Sequence, residues 1–228
     1  MVVPNYIPDP IEIPGNVTEQ PYRVRLTFIR RVLSLHLLSA AGVVGVALSP
    51  IPMVGLPTIA LCLLIMLVLA CFVRINMRGK KAEVIFSIVL LPGLLVLVGL
   101  TLKALGHAGL PVWSMAVGLI AAYTYALICG RDFSFVGQLV LALIASSTFI
   151  AGISLWLGHP GLYAAEALGL NAAYLIYYVY DAASLMSRRR LGEELAAVVD
   201  LYRDVLNFFG YVPRVVHHWH KHRIWQLR

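Results

Sequence analysis

Four polar side chains recur at helical spacing inside a late, otherwise apolar segment of this 228-residue chain: Asp200, Asp204, Asn207 and Tyr211. The spacing puts them on one face of a helix. Asp181 ends the preceding apolar segment, and a short loop makes the two segments antiparallel neighbours. Two carboxylates that meet in a poorly solvated place cannot both ionise cheaply, so they tend to share a proton. Asp181 and Asp204 are therefore predicted to form a proton sensor, and the other three residues a secondary polar stripe.

An arginine beside such a pair competes with the shared proton for the carboxylates. Arg74 and Arg78 follow an earlier apolar segment that ends on the same side of the membrane, so they are the candidate latch for the pair. In a simpler alternative, Asp181 is a solvated helix-end residue and Asp204 pairs only with Arg203 or Arg78.

Composition indicates an integral membrane protein. The chain is 60% hydrophobic and only 13% charged, outside the usual range for a soluble globular domain. The formal net charge of +7 comes from basic residues in short loops beside apolar segments, which favours a membrane-lipid environment over a nucleic-acid partner. Six segments are each close to the ~20 residues that cross a hydrocarbon core. They run roughly at 32–50, 53–73, 82–105, 111–129, 135–157 and 162–186.

The distribution of basic residues predicts the orientation. Arginine and lysine concentrate before the first span, between the second and third, and after the sixth, whereas the opposite loops hold only Lys103. The amino terminus is therefore predicted to be cytoplasmic. Residues 194–216 are long enough to cross the membrane, but the basic residues beyond them favour re-entry. The expected organisation is a disordered tail at 1–22, one transmembrane domain at 23–213 and a basic His/Trp-rich tail at 214–228.

Three motifs extend over nearly the whole chain. The first is VRLTFIRRVLSL at 24–35, and the second is RDFSFVG at 131–137. The third joins Tyr180-Asp181 to DLYRDVLNFF at 200–209. In this order the three resemble the opening, the link between the fourth and fifth spans, and the closing signature of the transmembrane Bax inhibitor motif family.

The resemblance implies an all-α fold in which six transmembrane helices surround a central seventh, so the prediction leans toward a full crossing by 194–216. It implies, in bacterial members, a pH-sensitive passive calcium leak of the inner membrane, with calcium as the permeant ion and no cofactor. Asp181 and Asp204 would be the paired sensors, with Arg78 as the best match to the latch and Arg74 as the second. Three features depart from the family pattern. The third span lacks the acidic residue that many members place there, the loop after the sixth is short and rich in arginine, and the tail is rich in histidine.

Two other functions fit parts of the pattern. A non-transporting protein that modulates membrane quality control or stress responses needs the same bundle, and the sequence specifies no protein partner for it. An intramembrane aspartyl protease also places Tyr-Asp in one helix and an aspartate in the next. Its second motif is Gly-x-Gly-Asp, however, whereas this chain has Leu-Tyr-Arg-Asp at 201–204 and lacks glycines to open the backbone.

Histidines and an outer acid offer weaker candidates. His36, inside the first span, is interpreted as a packing residue, with a proton relay as the alternative. Glu166 is expected at the wet outer surface, with ion entry as the alternative. Four histidines in the tail can ligate a metal, but the neighbouring tryptophans and basic residues favour an interfacial segment. These histidines are His217, His218, His220 and His222.

Overall fold

Helices dominate the computed structural model, which describes residues 13–77, 80–128 and 135–204. Seven α-helices and no strand occur in these ranges. Each helix overlaps one predicted segment, so the all-α, seven-helix prediction is confirmed. The helices are α1 (Tyr22–Leu48), α2 (Leu56–Met77), α3 (Lys81–His107), α4 (Trp113–Ile128), α5 (Phe135–Trp156), α6 (Gly161–Arg188) and α7 (Glu194–Arg203).

Four helices in the described ranges are long and apolar enough to cross a membrane, which supports an integral membrane protein. They are α1, α2, α3 and residues Gly137–Trp156 of α5. Helix α1 begins well before the predicted start at residue 32, because its early arginines keep their charged ends in water and do not interrupt the helix. Residues 205–216 lie outside the described ranges. A full membrane crossing by the seventh segment therefore stays a prediction.

The helices pack as two groups of three. Helices α1, α2 and α3 form one group, and α4, α5 and α6 form the other. Helix α7 packs mainly against α1 and α3, with further contacts to α2 and α6. All residues from 196 to 204 are buried. The end of α7 is therefore the most enclosed charged segment in the described part of the chain.

A glycine allows close helix packing in each group. A Cβ at Gly99 of α3 would lie 2.7 Å from Val46 Cβ of α1, and one at Gly118 of α4 would overlap Asn171 Oδ1 of α6. Small residues at such crossings let membrane helices approach closely. At the contact between α1 and α3, Lys103 Nζ donates to the carbonyl of Ser49 at 2.6 Å, so a cation lies at the carboxyl end of α1.

Buried amides join the second group. Asn171 Nδ2 of α6 donates to Ser146 Oγ of α5 at 2.8 Å, and Gln138 Nε2 of α5 donates to the carbonyl of Ala122 in α4 at 3.2 Å. The amide oxygens of Asn171 and Gln138 accept no hydrogen bond within the described ranges. We call Gln138, Ser146 and Asn171 the neutral polar seam.

Part of the segment predicted as a disordered tail is ordered. Val17–Glu19 form a 3₁₀ helix, and Val17 is fully buried. The amide of Val17 donates to the carbonyl of Arg189 at 2.9 Å, and that of Ile13 donates to Ser187 at 3.2 Å. The last turn of α6 and the residue that follows it therefore provide backbone partners that local sequence could not reveal. Residues 1–12 lie outside the described ranges.

Candidate functional site

Asp181 and Asp204 share one guanidinium, that of Arg188. Asp181 and Arg188 are two turns apart on the same face of α6, and Asp204 directly follows α7. Arg188 Nη2 lies 2.5 Å from Asp181 Oδ1, and Nη1 lies 2.7 Å from Asp204 Oδ2. Nη2 also donates to Ser184 Oγ at 2.6 Å. Arg188 therefore ties the carboxyl ends of α6 and α7 together through both predicted sensor residues.

Asp200 is the centre of a second set of ion pairs, one turn earlier on α7. Arg189 approaches Asp200 Oδ2 with Nε and Nη2, each at 2.6 Å. Arg203 Nη1 lies 2.6 Å from Oδ1, and Arg74 Nη1 lies 3.6 Å from Oδ2. Arginines from α2, the loop after α6, and α7 thus converge on one carboxylate.

Glu83, in the first turn of α3, extends this second set to another helix. Its Oε1 lies 2.6 Å from Arg189 Nη1 and 3.3 Å from Arg74 Nη1. Arg74 Nη2 also donates to the carbonyl of Arg188 at 3.2 Å. Helices α2 and α3 are therefore held against the segment that carries both Arg188 and Arg189.

The two sets join at Arg203, whose Nη2 lies 2.6 Å from Asp204 Oδ1. Four carboxylates and four guanidiniums meet here, so their formal charges cancel. They are Glu83, Asp181, Asp200, Asp204, Arg74, Arg188, Arg189 and Arg203. We call these eight residues the arginine–carboxylate cluster. Each of their side chains is at most 13% exposed, and charges this buried need partners because an unpaired one costs several kcal/mol.

Arg189 is the most buried cation of the cluster, with a side chain 1% exposed. Burial disfavours its charged form, but the carboxylates of Asp200 and Glu83 outweigh that effect and raise its pKa. Glu193 adds a fifth carboxylate at the edge of the cluster, with Oε2 at 3.6 Å from Arg189 Nη1. Arg189 therefore stays charged and acts as a permanent link between α3 and α7.

Comparison with known proteins decides the family. The family model described as inhibitor of apoptosis-promoting Bax1 matches residues 25–218, which is most of the chain. The protein belongs to this family. A BI1-like protein from Arabidopsis thaliana is 31% identical over 102 residues, which are 44% of this chain and 40% of that relative. The matched region thus spans well under half the length of the relative. No solved structure shows a significant match.

In this member of the Bax1 inhibitor family, the predicted latch residue Arg74 has partners other than those expected. It lies against Glu83 and Asp200, whereas the guanidinium between Asp181 and Asp204 belongs to Arg188. The reason is geometric, because Arg188 is carried by the same helix as Asp181. Arg78, the other predicted latch residue, lies outside the described ranges. The alternative that Asp204 pairs with Arg203 is found together with the Arg188 pair.

The third span is expected to lack the acidic residue of the family pattern, yet it holds a buried acid, since Glu83 lies in the first turn of α3 and is 2% exposed. Its position next to Lys80 and Lys81 makes it look like part of a solvated basic loop. Its partner Arg189 is 106 residues further along the chain, a distance at which no periodicity connects the two. The one sequence signal was an acid at the start of an otherwise apolar span.

His36 packs among aromatic rings. It is 4% exposed, with its ring centroid 5.3 Å from Tyr178 and 5.0 Å from Tyr202. Tyr202 in turn shares a 2.7 Å hydrogen bond with Ser39 Oγ of α1. These contacts agree with the interpretation of His36 as a packing residue, and they join α1, α6 and α7 next to the cluster.

The remaining candidates lie apart from the cluster or outside the described ranges. Glu166 is exposed on α6. Asn207 and Tyr211 of the predicted stripe lie outside those ranges, as do the four tail histidines. Within the described ranges, no three His, Cys, Asp or Glu side chains are grouped as a metal site requires.

Proposed function

We propose that this Bax1 inhibitor family protein is a pH-sensitive passive calcium leak, gated by Asp181 and Asp204 with Arg188 as their latch. One observation carries the proposal, namely that a single guanidinium is held by both carboxylates at 2.5 and 2.7 Å. The Arg188–Asp204 contact joins two helices. A change of charge on either aspartate therefore changes the force that holds α6 against α7.

The sign follows from the charge balance of the cluster. With all four carboxylates ionised, the four guanidiniums are neutralised and the helix ends stay together. A proton on Asp181 or Asp204 removes one negative charge and weakens its charge-assisted hydrogen bond to Arg188. The neighbouring guanidinium of Arg203 then adds repulsion, since Asp204 no longer lies as an anion between the two cations. Acidification should open the latch, so calcium flux should rise as pH falls.

Four members of the cluster have a structural role in this proposal and are not part of the latch. They are Glu83, Asp200, Arg74 and Arg189. They tie α2, α3 and the loop after α6 to α7, and Arg189 keeps its charge in the range where carboxylates titrate. They therefore hold the frame against which the end of α6 moves. This division replaces the expectation that an arginine at the end of α2 latches the aspartate pair.

The test is calcium flux into proteoliposomes that contain only this protein, scanned from about pH 5 to pH 8. Wild type should show flux that increases on acidification. Asp204→Asn keeps the shape of the side chain but removes one charge, so the pH dependence should flatten. Arg188→Gln should raise flux at neutral pH because the latch is lost. Glu166→Gln, an exposed carboxylate on the same helix as Asp181, is the matched control and should leave the profile unchanged.

Flux equal to that of protein-free vesicles at every pH would reject the leak. The non-transporting interaction protein would then replace it, because that function needs the bundle and no ion path. A wild-type profile in Asp204→Asn would reject the aspartate pair as the sensor and leave the leak itself standing. The protease alternative gains nothing from the structure, since arginines occupy the space around both aspartates.

The proposed location is a bacterial inner membrane with the amino terminus in the cytoplasm. It rests on the basic residues at 23–31, 74–81 and 188–190, which favour the cytoplasmic side. A cysteine introduced at Lys80, in a background without native cysteines, should resist an impermeant thiol reagent added outside intact cells. Labelling from outside would invert the proposed orientation.

A further inference from the structure

A cavity of about 420 Å³ opens between the start of α1 and the loop after α6. Its α1 wall includes Arg23, Phe28 and Arg31, which fall along one side of the helix. Its opposite wall includes Leu191 of the loop and Glu194 of the first turn of α7. None of these residues takes part in the arginine–carboxylate cluster, so the cavity is a separate site.

The length of α1 places this cavity at the surface of the bilayer. Its 27 residues extend about 40 Å at 1.5 Å per residue, whereas the hydrocarbon core is about 30 Å thick. The first turns of α1 therefore reach beyond the hydrocarbon into the headgroup layer. Tyr22, the first residue of the helix and 41% exposed, is of a type that is enriched at that level.

The walls of the cavity combine cations with apolar surface. Arg23 and Arg31 are both exposed, and the Arg31 side chain is 68% accessible. Glu194 Oε1 lies 3.7 Å from Arg31 Nη1, beyond hydrogen-bond range, so this contact leaves the donors of Arg31 available. Guanidiniums recognise phosphate through paired N–H donors. Leu191, which is 47% exposed, adds an apolar edge on the opposite side.

We propose that this cavity binds the phosphate-bearing headgroup of an anionic phospholipid. The phosphate lies between Arg23 and Arg31, and the glycerol and upper acyl chain lie along the apolar edge. A soluble phosphate satisfies the arginines but makes no use of the apolar edge or of the position at the bilayer surface. Basic pockets between membrane helices are known to select lipids in this way. The proposal is independent of whether the protein passes calcium.

The test is native mass spectrometry of the full-length protein, incubated with equal amounts of phosphatidylglycerol and phosphatidylcholine that carry the same acyl chains. Wild type should retain phosphatidylglycerol in preference. The double variant Arg23→Gln/Arg31→Gln should bind it at least about tenfold more weakly, because each basic residue near an anionic surface contributes about fivefold. Phosphatidylcholine retention should not change.

The matched control is Lys80→Gln/Lys81→Gln, which removes the same charge from two exposed residues at the start of α3. It should retain phosphatidylglycerol as wild type does, and all three proteins should unfold at the same temperature. Equal loss in both double variants would reduce the effect to overall charge and overturn the site. Equal retention of the two lipids by wild type would overturn it as well. Displacement of the lipid by millimolar inorganic phosphate would assign the cavity to a soluble anion instead.

Discussion

Two groups of buried polar residues in the described part of this bundle are built differently. In the arginine–carboxylate cluster, Asp200 has three guanidiniums within 3.6 Å and Asp204 has two within 2.7 Å. In the neutral polar seam between α4, α5 and α6, Asn171 and Gln138 each donate one side-chain hydrogen bond and keep an unpaired amide oxygen. In the charged region every side chain has at least one oppositely charged partner within 3.3 Å, whereas the neutral region relies on single hydrogen bonds.

The difference shows what each polar group requires once it leaves water. An amide with a missing hydrogen bond costs a few kcal/mol at most, so a helix contact can tolerate it. An unpaired buried charge costs far more, so Glu83, Asp200 and Asp204 depend on guanidiniums from other elements of the fold. Such dependence suits a switch, because one proton disturbs several elements at once. We therefore expect large, coupled effects in the cluster and small, local effects in the seam.

Replacing Arg189 should give the largest loss of stability. Arg189→Gln leaves Glu83 and Asp200 short of their closest cation, so the free energy of unfolding should fall by about 3–5 kcal/mol. Denaturant titration in detergent, followed by circular dichroism, measures this change. Arg190→Gln removes the same charge from an exposed neighbour and should change stability by less than about 0.5 kcal/mol. Similar values for the two variants would contradict the role of Arg189 as the shared partner of Glu83 and Asp200.

Asp200→Asn should separate the frame from the latch. The variant removes the anion that Arg189 and Arg203 share, and we expect a loss of about 2–3 kcal/mol because charged hydrogen bonds are broken. The Asp181–Arg188–Asp204 contacts remain, so calcium flux should keep most of its response to pH. A flat pH profile together with unchanged stability would mean that Asp200, and not Asp204, is the sensor.

Gly118→Ala tests the packing of the seam. The added Cβ would overlap Asn171 Oδ1 and lie 3.2 Å from Leu175 Cγ, so the amide must move and its hydrogen bond to Ser146 is strained. We expect a loss of about 1–3 kcal/mol, as for overpacked cores. Combining it with Asn171→Ala should recover part of the loss, which a double-mutant cycle measures. Additive losses would show that α4 and α6 do not meet at this point.

Asn171→Leu should have the smallest effect. It removes the hydrogen bond to Ser146 but keeps a side chain of similar size, so the loss should be about 0.6 kcal/mol and no more than about 1.7 kcal/mol. The measurement is the same denaturant titration. A loss as large as that of Arg189→Gln would erase the contrast between the seam and the cluster. Calcium flux and its pH dependence should match wild type.

The sequence predicted the helices well, because long apolar segments leave few alternatives in a membrane. It also selected Asp181 and Asp204, since polar residues at helical spacing stand out in apolar surroundings. It did not identify the arginine that joins them. Three consecutive arginines follow α6 and look alike as orientation signals, yet Arg188 and Arg189 turn inward and Arg190 is exposed.

The helical register of α6 could have identified Arg188 as a partner of Asp181. Arg188 lies seven residues after Asp181 and therefore on the same face of α6. The partners of Arg189 could not be found in this way, because Glu83 and Asp200 come from α3 and α7 and meet it only through tertiary packing. The sequence thus indicated contacts within one helix and did not indicate those that depend on how several helices assemble.

The long separation between Glu83 and Arg189 has a consequence for synthesis of the chain. Helix α3 enters the membrane with the Glu83 carboxylate while Arg189 is still untranslated. Arg74, nine residues before Glu83, has already been made, and in the finished protein its Nη1 lies 3.3 Å from Glu83 Oε1. Arg188, Asp200 and Asp204 join last. A chain that stops before α7 retains the Arg74–Glu83 pair and leaves Asp181 and Arg188 with each other, so the latch between helices exists only after the seventh helix has been made.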